Sequence, residues 1–238
     1  MENIYAEILK SKSNHKKLLA ILLDPDKIEW NNLDVITAKI NTSPATHILV
    51  GGSVVITERI DDYVQAIKEN CSLPVILFPG NPSQISIHAD GILFLSLISG
   101  RNPDFLIGHH VEAAPILINT DLEIIPTSYI IVESGSRTAV SRVSLTDPMT
   151  IDNPEQILNT ALAGQMLGHK LIYLEAGSGA ENPIPGSIIK MVSHAIKVPL
   201  IVGGGIRDKH GIEAAYKAGA DMVVIGTAFE NDHTFFDH

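Results

Sequence analysis

Three parts of this 238-residue chain bring chemistry-bearing side chains together with glycines. The first pairs Val202-Gly203-Gly204-Gly205-Ile206-Arg207 with Ile225-Gly226-Thr227-Ala228. Glycines let backbone N–H groups approach an anion closely and reach positive φ where a side chain would clash. A helix beginning near Asp208 would turn its positive end toward the same anion. The two loops therefore suggest a phosphate cradle; tight turns alone are the alternative. The second part is Tyr173-Leu174-Glu175-Ala176-Gly177-Ser178-Gly179. On a strand, Tyr173 and Glu175 point the same way, and Glu175 is placed to hold or deprotonate a substrate hydroxyl. Gly177 and Gly179 flank Ser178, a further anion contact. An ion-paired glutamate at a strand end is the competing reading, since a carboxylate is costly to bury alone. The third part is Asp24-Pro25-Asp26-Lys27, facing Gly51-Gly52-Ser53. Oxygen ligands on neighbouring loops suit Mg²⁺, which takes one or two carboxylates and shares its other positions with phosphates and water. Asp24 is the better ligand because it ends its strand, although a turn capped by Asp explains the same residues.

Other chemistries lack their residues. The ten histidines form no ligand pattern, and His109-His110, being adjacent, face different sides of any helix. They suit surface or supporting roles, and His233 and His238 lie in a tail that looks poorly packed. The single cysteine, Cys71, excludes an intrachain disulfide and reads as a small buried residue. There is no nucleophile elbow, Cys-His arrangement or Walker A loop.

The elements that must position these groups follow from apolar runs. Leu18–Leu23, His47–Val50, Pro74–Phe78, Gly91–Leu97, Ile124–Val132, Leu171–Glu175, Pro199–Val202 and Met222–Ile225 read as strands. Leu73-Pro74 and Val198-Pro199 each end a helical stretch, because the residue before proline is pushed out of the helical region. Gly219 caps another. Ile60, Val64 and Ile67 fall on one helical face, and Ile157, Ala161 and Met166 are expected on another, after the start signal Asp152-Asn153-Pro154. Alternating strands and helices imply parallel pairing. Because the first strand ends in Asp-Pro-Asp-Lys and the glycine loops come late, a barrel is favoured over a dinucleotide-binding sheet. The expectation is a single (β/α)8 TIM-barrel domain over residues 1–238. The stretch from Pro79 to Asp90 is short for a helix, so the third helix is expected to be degenerate or missing.

Composition sets outer bounds. Hydrophobic residues make up 45% and charged residues 18%, enough for a large core with apolar parallel strands. The formal net charge of −10 argues against a general nucleic-acid binder. The N-terminus has no apolar signal segment and no run is long enough to span a bilayer, so a soluble, cytoplasmic enzyme is expected.

Taken together the motifs resemble the geranylgeranylglyceryl phosphate synthase family and its heptaprenylglyceryl phosphate synthase relatives. The resemblance rests on Leu23 through Lys27, Leu49 through Ser53, Pro74 through Asn81 and Leu95 through Pro103. Ile125 through Ile130, Tyr173 through Gly179, Gly203 through Ile206 and Gly226-Thr227 complete it. It implies transfer of a prenyl group from a prenyl diphosphate, geranylgeranyl diphosphate above all, to the C3 hydroxyl of sn-glycerol 1-phosphate. It implies Mg²⁺ held at Asp24 and Ser53. It implies glycerol phosphate held at Tyr173, Leu174, Glu175, Ala176, Gly177, Ser178, Gly179, Gly204, Gly205, Gly226 and Thr227. Glu175 and Asp24 would be the catalytic residues, the protein a homo-oligomer, and the product an ether-lipid precursor passed to a membrane. A groove for the apolar tail is expected near Phe78, Phe94, Leu97, Phe105 and Leu106. The rival readings are a phosphate-binding barrel isomerase of amino-acid biosynthesis and a non-catalytic sensor of phosphate ligands.

Overall fold

Each apolar run is a strand in the computed structural model, within one residue of the expected ends. The structure describes residues 3–53, 55, 57, 59–135 and 138–236; His238 lies outside them. The strands are β1 (Leu18–Leu23), β2 (His47–Val50), β3 (Val75–Leu77), β4 (Gly91–Leu97), β5 (Glu123–Ile131), β6 (Leu171–Glu175), β7 (Leu200–Gly203) and β8 (Met222–Ile225). They pair in chain order, all parallel, and β8 returns to β1 to close the barrel.

The helices are α1 (Ile4–Ser13), α2 (Leu33–Thr42), α3 (Ile60–Asn70), α4 (His109–Leu117), α5 (Ala139–Val143), α6 (Pro154–Met166), α7 (Gly186–Ala195), α8 (Lys209–Ala218) and α9 (Thr227–Asn231). Between β3 and β4 the described chain makes only a 3-10 turn at Pro82–Gln84, so the barrel lacks a regular third helix, as expected. Asn153 and Asp208 cap α6 and α8 through their side chains, and Gly219 ends α8 in the left-handed region. Ile60, Val64 and Ile67 are buried on α3. Met166 is not part of the α6 core face: it is 80% exposed. Nine residues beyond Ile157 is two and a half turns of helix, which carries Met166 to the opposite side. Gly164 takes the inward position instead.

Two apolar layers hold the barrel. One lies between sheet and helices; the other fills the barrel with Leu49, Ile76, Leu93, Ile125 and Ile201. The inner layer is closed at the strands' N-terminal end by Ile4 and Ile8 of α1. Glu123, at the start of β5, accepts the N–H groups of Ile4 and Tyr5 and so fastens α1 there. The opposite end is left for chemistry.

Candidate active site

A cavity of about 740 Å³ opens at the C-terminal ends of the strands. Asp24 and Lys27 reach it from the loop after β1 and Ser53 from the loop after β2. Tyr173 and Glu175 come from β6, with Gly177, Ser178 and Gly179 beyond them. Gly204 and Gly205 follow β7, and Gly226 and Thr227 follow β8. Leu174 and Ala176 are brought to the right strand end, but they are buried in the layer facing the helices. Strand alternation turns their side chains away from the cavity, and the Ala176 N–H is spent on the Gly203 carbonyl.

Glu175 is 5% exposed, and no lysine or arginine pairs with it among the described residues. The ion-paired reading of this residue is not what the structure contains. Its Oε1 accepts the Gly177 N–H at 2.6 Å. Burial pushes its carboxyl up to about 7, against the opposing influence of the Gly177 N–H and the Tyr173 and Tyr129 hydroxyls. A carboxyl poised there can accept a proton near neutral pH. The Tyr173 hydroxyl is buried and makes no hydrogen bond of ordinary geometry. A buried polar atom left without a partner is what a substrate hydroxyl would satisfy. Gly204 makes the arrangement possible. It sits at φ +81°, and a Cβ there would lie 2.5 Å from Glu175 Oε1 and from the Gly177 nitrogen.

On the other side of the mouth, the Asp24 carboxylate packs on the next loop. A Cβ on Gly52 would stand 3.1 Å from Asp24 Oδ2. Asp24 Oδ1 accepts the Asp26 N–H at 3.1 Å, so the capped-turn reading is also true of this residue. Among the described residues no group of three or more His, Cys, Asp or Glu forms a metal cluster. At the β1 and β2 loops the chain offers one carboxylate, Asp24, and, from Ser53, one hydroxyl on the same cavity. That donor set fits Mg²⁺ completed by water and substrate phosphates and does not fit a metal held wholly by protein.

Lys27 stretches across the mouth. Its Nζ lies 3.4 Å from Asp24 Oδ2, 3.2 Å from Glu230 Oε2 and 3.3 Å from Ser178 Oγ. Ser178 Oγ in turn is 3.3 Å from Thr227 Oγ1. Burial pulls the Lys27 ammonium down, but Glu230 and Asp24 outweigh it and the net shift is upward. Burial raises the Glu230 carboxyl, and Lys27 offsets part of that. Arg142 and Arg207 also line the cavity.

A second, apolar cleft adjoins the cavity and shares Gly52, Ser53, Phe78, Tyr129 and Val140 with it. Phe94, Leu97 and Phe105 line it as anticipated. Leu106 does not; it borders a separate groove with residues of α6. His109 and His110 belong to the cleft wall, and His110 is buried with its Nε2 3.1 Å from Ser96 Oγ. Phe78, Tyr129 and Tyr173 form a ring cluster where the two chambers meet, with centroids 5.3–5.6 Å apart. Tyr129, Lys27, Arg142 and Glu230 were not singled out from the sequence. Lys27 and Tyr129 stand inside recognisable motifs, whereas Arg142 and Glu230 sit on short helices with no signal of their own.

The family model described as the PcrB family matches residues 10–237. Geranylgeranylglyceryl phosphate synthase of Flavobacterium johnsoniae is 60% identical over 237 residues, spanning 100% of this chain and 98% of that protein. The enzyme of that name from Zunongwangia profunda is 52% identical over 231 residues, spanning 97% and 98%. Among solved structures, (S)-3-O-geranylgeranylglyceryl phosphate synthase from Thermoplasma acidophilum, in complex with sn-glycerol-1-phosphate, aligns with a TM-score of 0.93. Its identity is 33%, covering 100% of this chain and 95% of that one.

Proposed function

This chain belongs to the PcrB family, and we propose that it is a prenyltransferase joining geranylgeranyl diphosphate to the C3 hydroxyl of sn-glycerol 1-phosphate. The observation that carries the reading is the pairing of two chambers. A polar cavity holds a buried glutamate beside glycine loops, and it opens through Phe78 and Tyr129 into an apolar cleft. Such a pair fits one small phosphorylated polyol and one long hydrocarbon tail meeting at their reactive ends.

In the reaction, the C3 oxygen bonds to C1 of the prenyl chain as the C1–O bond to diphosphate breaks. The hydroxyl proton passes to Glu175, and diphosphate leaves with the bonding pair. Glu175 and the Tyr173 hydroxyl orient the acceptor, while Gly177 to Gly179, Gly204-Gly205 and Gly226-Thr227 hold its phosphate, which fixes the hydroxyl for attack. Mg²⁺, when bound at Asp24 and Ser53, would neutralise charge on the departing diphosphate. A barrel isomerase would need a pair of acid/base side chains on early and middle strands, and an apolar second chamber would serve it no purpose. We extend the proposal to a cytoplasmic homo-oligomer that releases its product to a membrane. No helix among the described residues is long and apolar enough to cross a membrane; sedimentation velocity tests the oligomer.

The deciding experiment supplies labelled sn-glycerol 1-phosphate, Mg²⁺ and a ladder of prenyl diphosphates, and reads products by mass spectrometry. A twenty-carbon ether of the 1-phosphate is expected, with the 3-phosphate enantiomer strongly disfavoured and chelation abolishing turnover. No ether product from any donor overturns the reading.

A further inference from the structure

The proposed reaction brings two anions into one mouth, a phosphate monoester and a diphosphate, beside the carboxylates Asp24, Glu175 and Glu230. Like charges repel, and more strongly away from bulk water, so a cation between the two anions would favour their joint binding. Arg207 gives its Nη2 to the Ala180 carbonyl at 2.9 Å, and Arg142 stands on α5, in the connection between β5 and β6. Lys27 is the cation that lies between the metal-side carboxylate and the hydroxyl pair of the phosphate loops, 3.4 Å from Asp24 Oδ2 and 3.3 Å from Ser178 Oγ.

Its position is imposed. The lysine stem crosses from the β1 loop to a hydroxyl carried by the β6 loop, which is not a neighbouring strand. A free lysine would lose rotamer entropy to stay there. Glu230, whose side chain is 9% exposed, holds the ammonium at 3.2 Å from α9 and lies beside the Asp24 backbone N–H, which lowers its carboxyl. One carboxylate thus ties together the lysine, the metal-side loop and the helix that begins at Thr227.

We infer that Lys27 is the binding residue that counters the acceptor phosphate against the donor diphosphate, and that Glu230 is a positioning residue acting through Lys27. The inference rests on the two-anion reading proposed above and names a residue pair for it. The ammonium, held by Asp24 and Glu230, lies 3.3 Å from Ser178 Oγ and so is within reach of a phosphate seated on Ser178 and Thr227. An anion there replaces carboxylate contacts with stronger, more highly charged ones.

The test uses the full chain and two probes, inorganic phosphate measured by calorimetry and sn-glycerol 1-phosphate measured by steady-state kinetics. Lys27→Met is expected to weaken phosphate binding and raise KM for glycerol phosphate at least tenfold, and Lys27→Arg to recover most of both. Lys27 is half-exposed, so the fold tolerates the change; an unaltered melting temperature confirms it. Glu230→Gln is expected to raise KM severalfold when Lys27 is present and to have no effect on it in the Lys27→Met background. Unchanged phosphate binding in Lys27→Met overturns the inference. So does a Glu230→Gln effect of equal size in both backgrounds, or tighter binding in both, which marks plain repulsion of the phosphate. Because the phosphate measurement needs no turnover, Lys27-dependent binding in a protein that makes no ether would sink the proposed function and leave Lys27 as a phosphate-binding residue only.

Discussion

Seating Glu175 beneath Gly203 and Gly204 takes its carboxyl out of water, and two consequences follow for the reaction. The group changes charge at about 7 rather than in the ordinary carboxylate range. A base must be deprotonated to work, so kcat/KM is expected to rise with pH up to about 7 and then level off. Below that point it falls about tenfold per pH unit, the slope of a single titrating group. In Glu175→Gln that break disappears. The amide oxygen still accepts the Gly177 N–H, so positioning largely survives, but no proton is taken up. The expected loss is about 10²–10⁴-fold in kcat, with a change of only about 0.5–1.5 kcal/mol in glycerol phosphate binding. An unchanged kcat with a raised dissociation constant would leave Glu175 as a binding residue only. Asp24 is tested through the metal. Asp24→Asn keeps an oxygen for the Asp26 N–H but loses the charge offered to Mg²⁺. The Mg²⁺ concentration for half-maximal rate is expected to rise by about tenfold or more, the equivalent of 1.4 kcal/mol, and titration of activity against Mg²⁺ reads it directly.

Strands were the elements most legible in the sequence, because a parallel strand buried on both faces is an uninterrupted apolar run and its proline or glycine border is local. Helices were less so. α1 carries Ile4 and Ile8 in a short segment that ends in Lys-Ser-Lys-Ser, and its partner is Glu123, far along the chain. Met166 was misplaced because α6 is apolar on more than one side, and only helical phase separates its faces. The site was legible where its groups follow strand ends, as with Asp24, Glu175 and the glycine loops. It was illegible where a side chain crosses to a distant loop, as Lys27 does to Ser178. α1 also gives a prediction at this scale. Ile8 is 1% exposed and closes the barrel end farthest from the cavity. Ile8→Ala is expected to cost about 2–5 kcal/mol in urea unfolding while leaving kcat and KM unchanged. A comparable loss of activity in the still-folded variant would mean that the two ends of the barrel are mechanically coupled.

Among the groups that shape the stability of the barrel against pH, two buried ones lie near opposite ends of the strands, and their effects run in opposite directions. Glu175 has its folded value raised from 4.5 to about 7. Between these values the folded state binds more protons than the unfolded state, so its contribution to stability is present at low pH and is lost as pH rises. His47, at the start of β2, is pulled down from 6.5 to about 4, chiefly by burial and secondarily by Lys16. Here the unfolded state binds more protons between about 4 and 6.5, so stability is full above 6.5 and is lost as pH falls. Each difference corresponds to about 3 kcal/mol, and the two windows overlap almost completely. In the wild type the two contributions should nearly cancel between pH 4.5 and 6.5, leaving this pair with little net slope. Each variant uncovers the other group. Glu175→Gln should be more stable than wild type at pH 8, because a charged carboxylate is no longer buried, and should then lose stability on acidification through His47. His47→Asn should instead gain stability as pH falls from 7 to 5. Urea midpoints of the three proteins at pH 5 and pH 8 decide the matter. Parallel slopes in all three would show that neither group titrates in the folded barrel as its burial dictates.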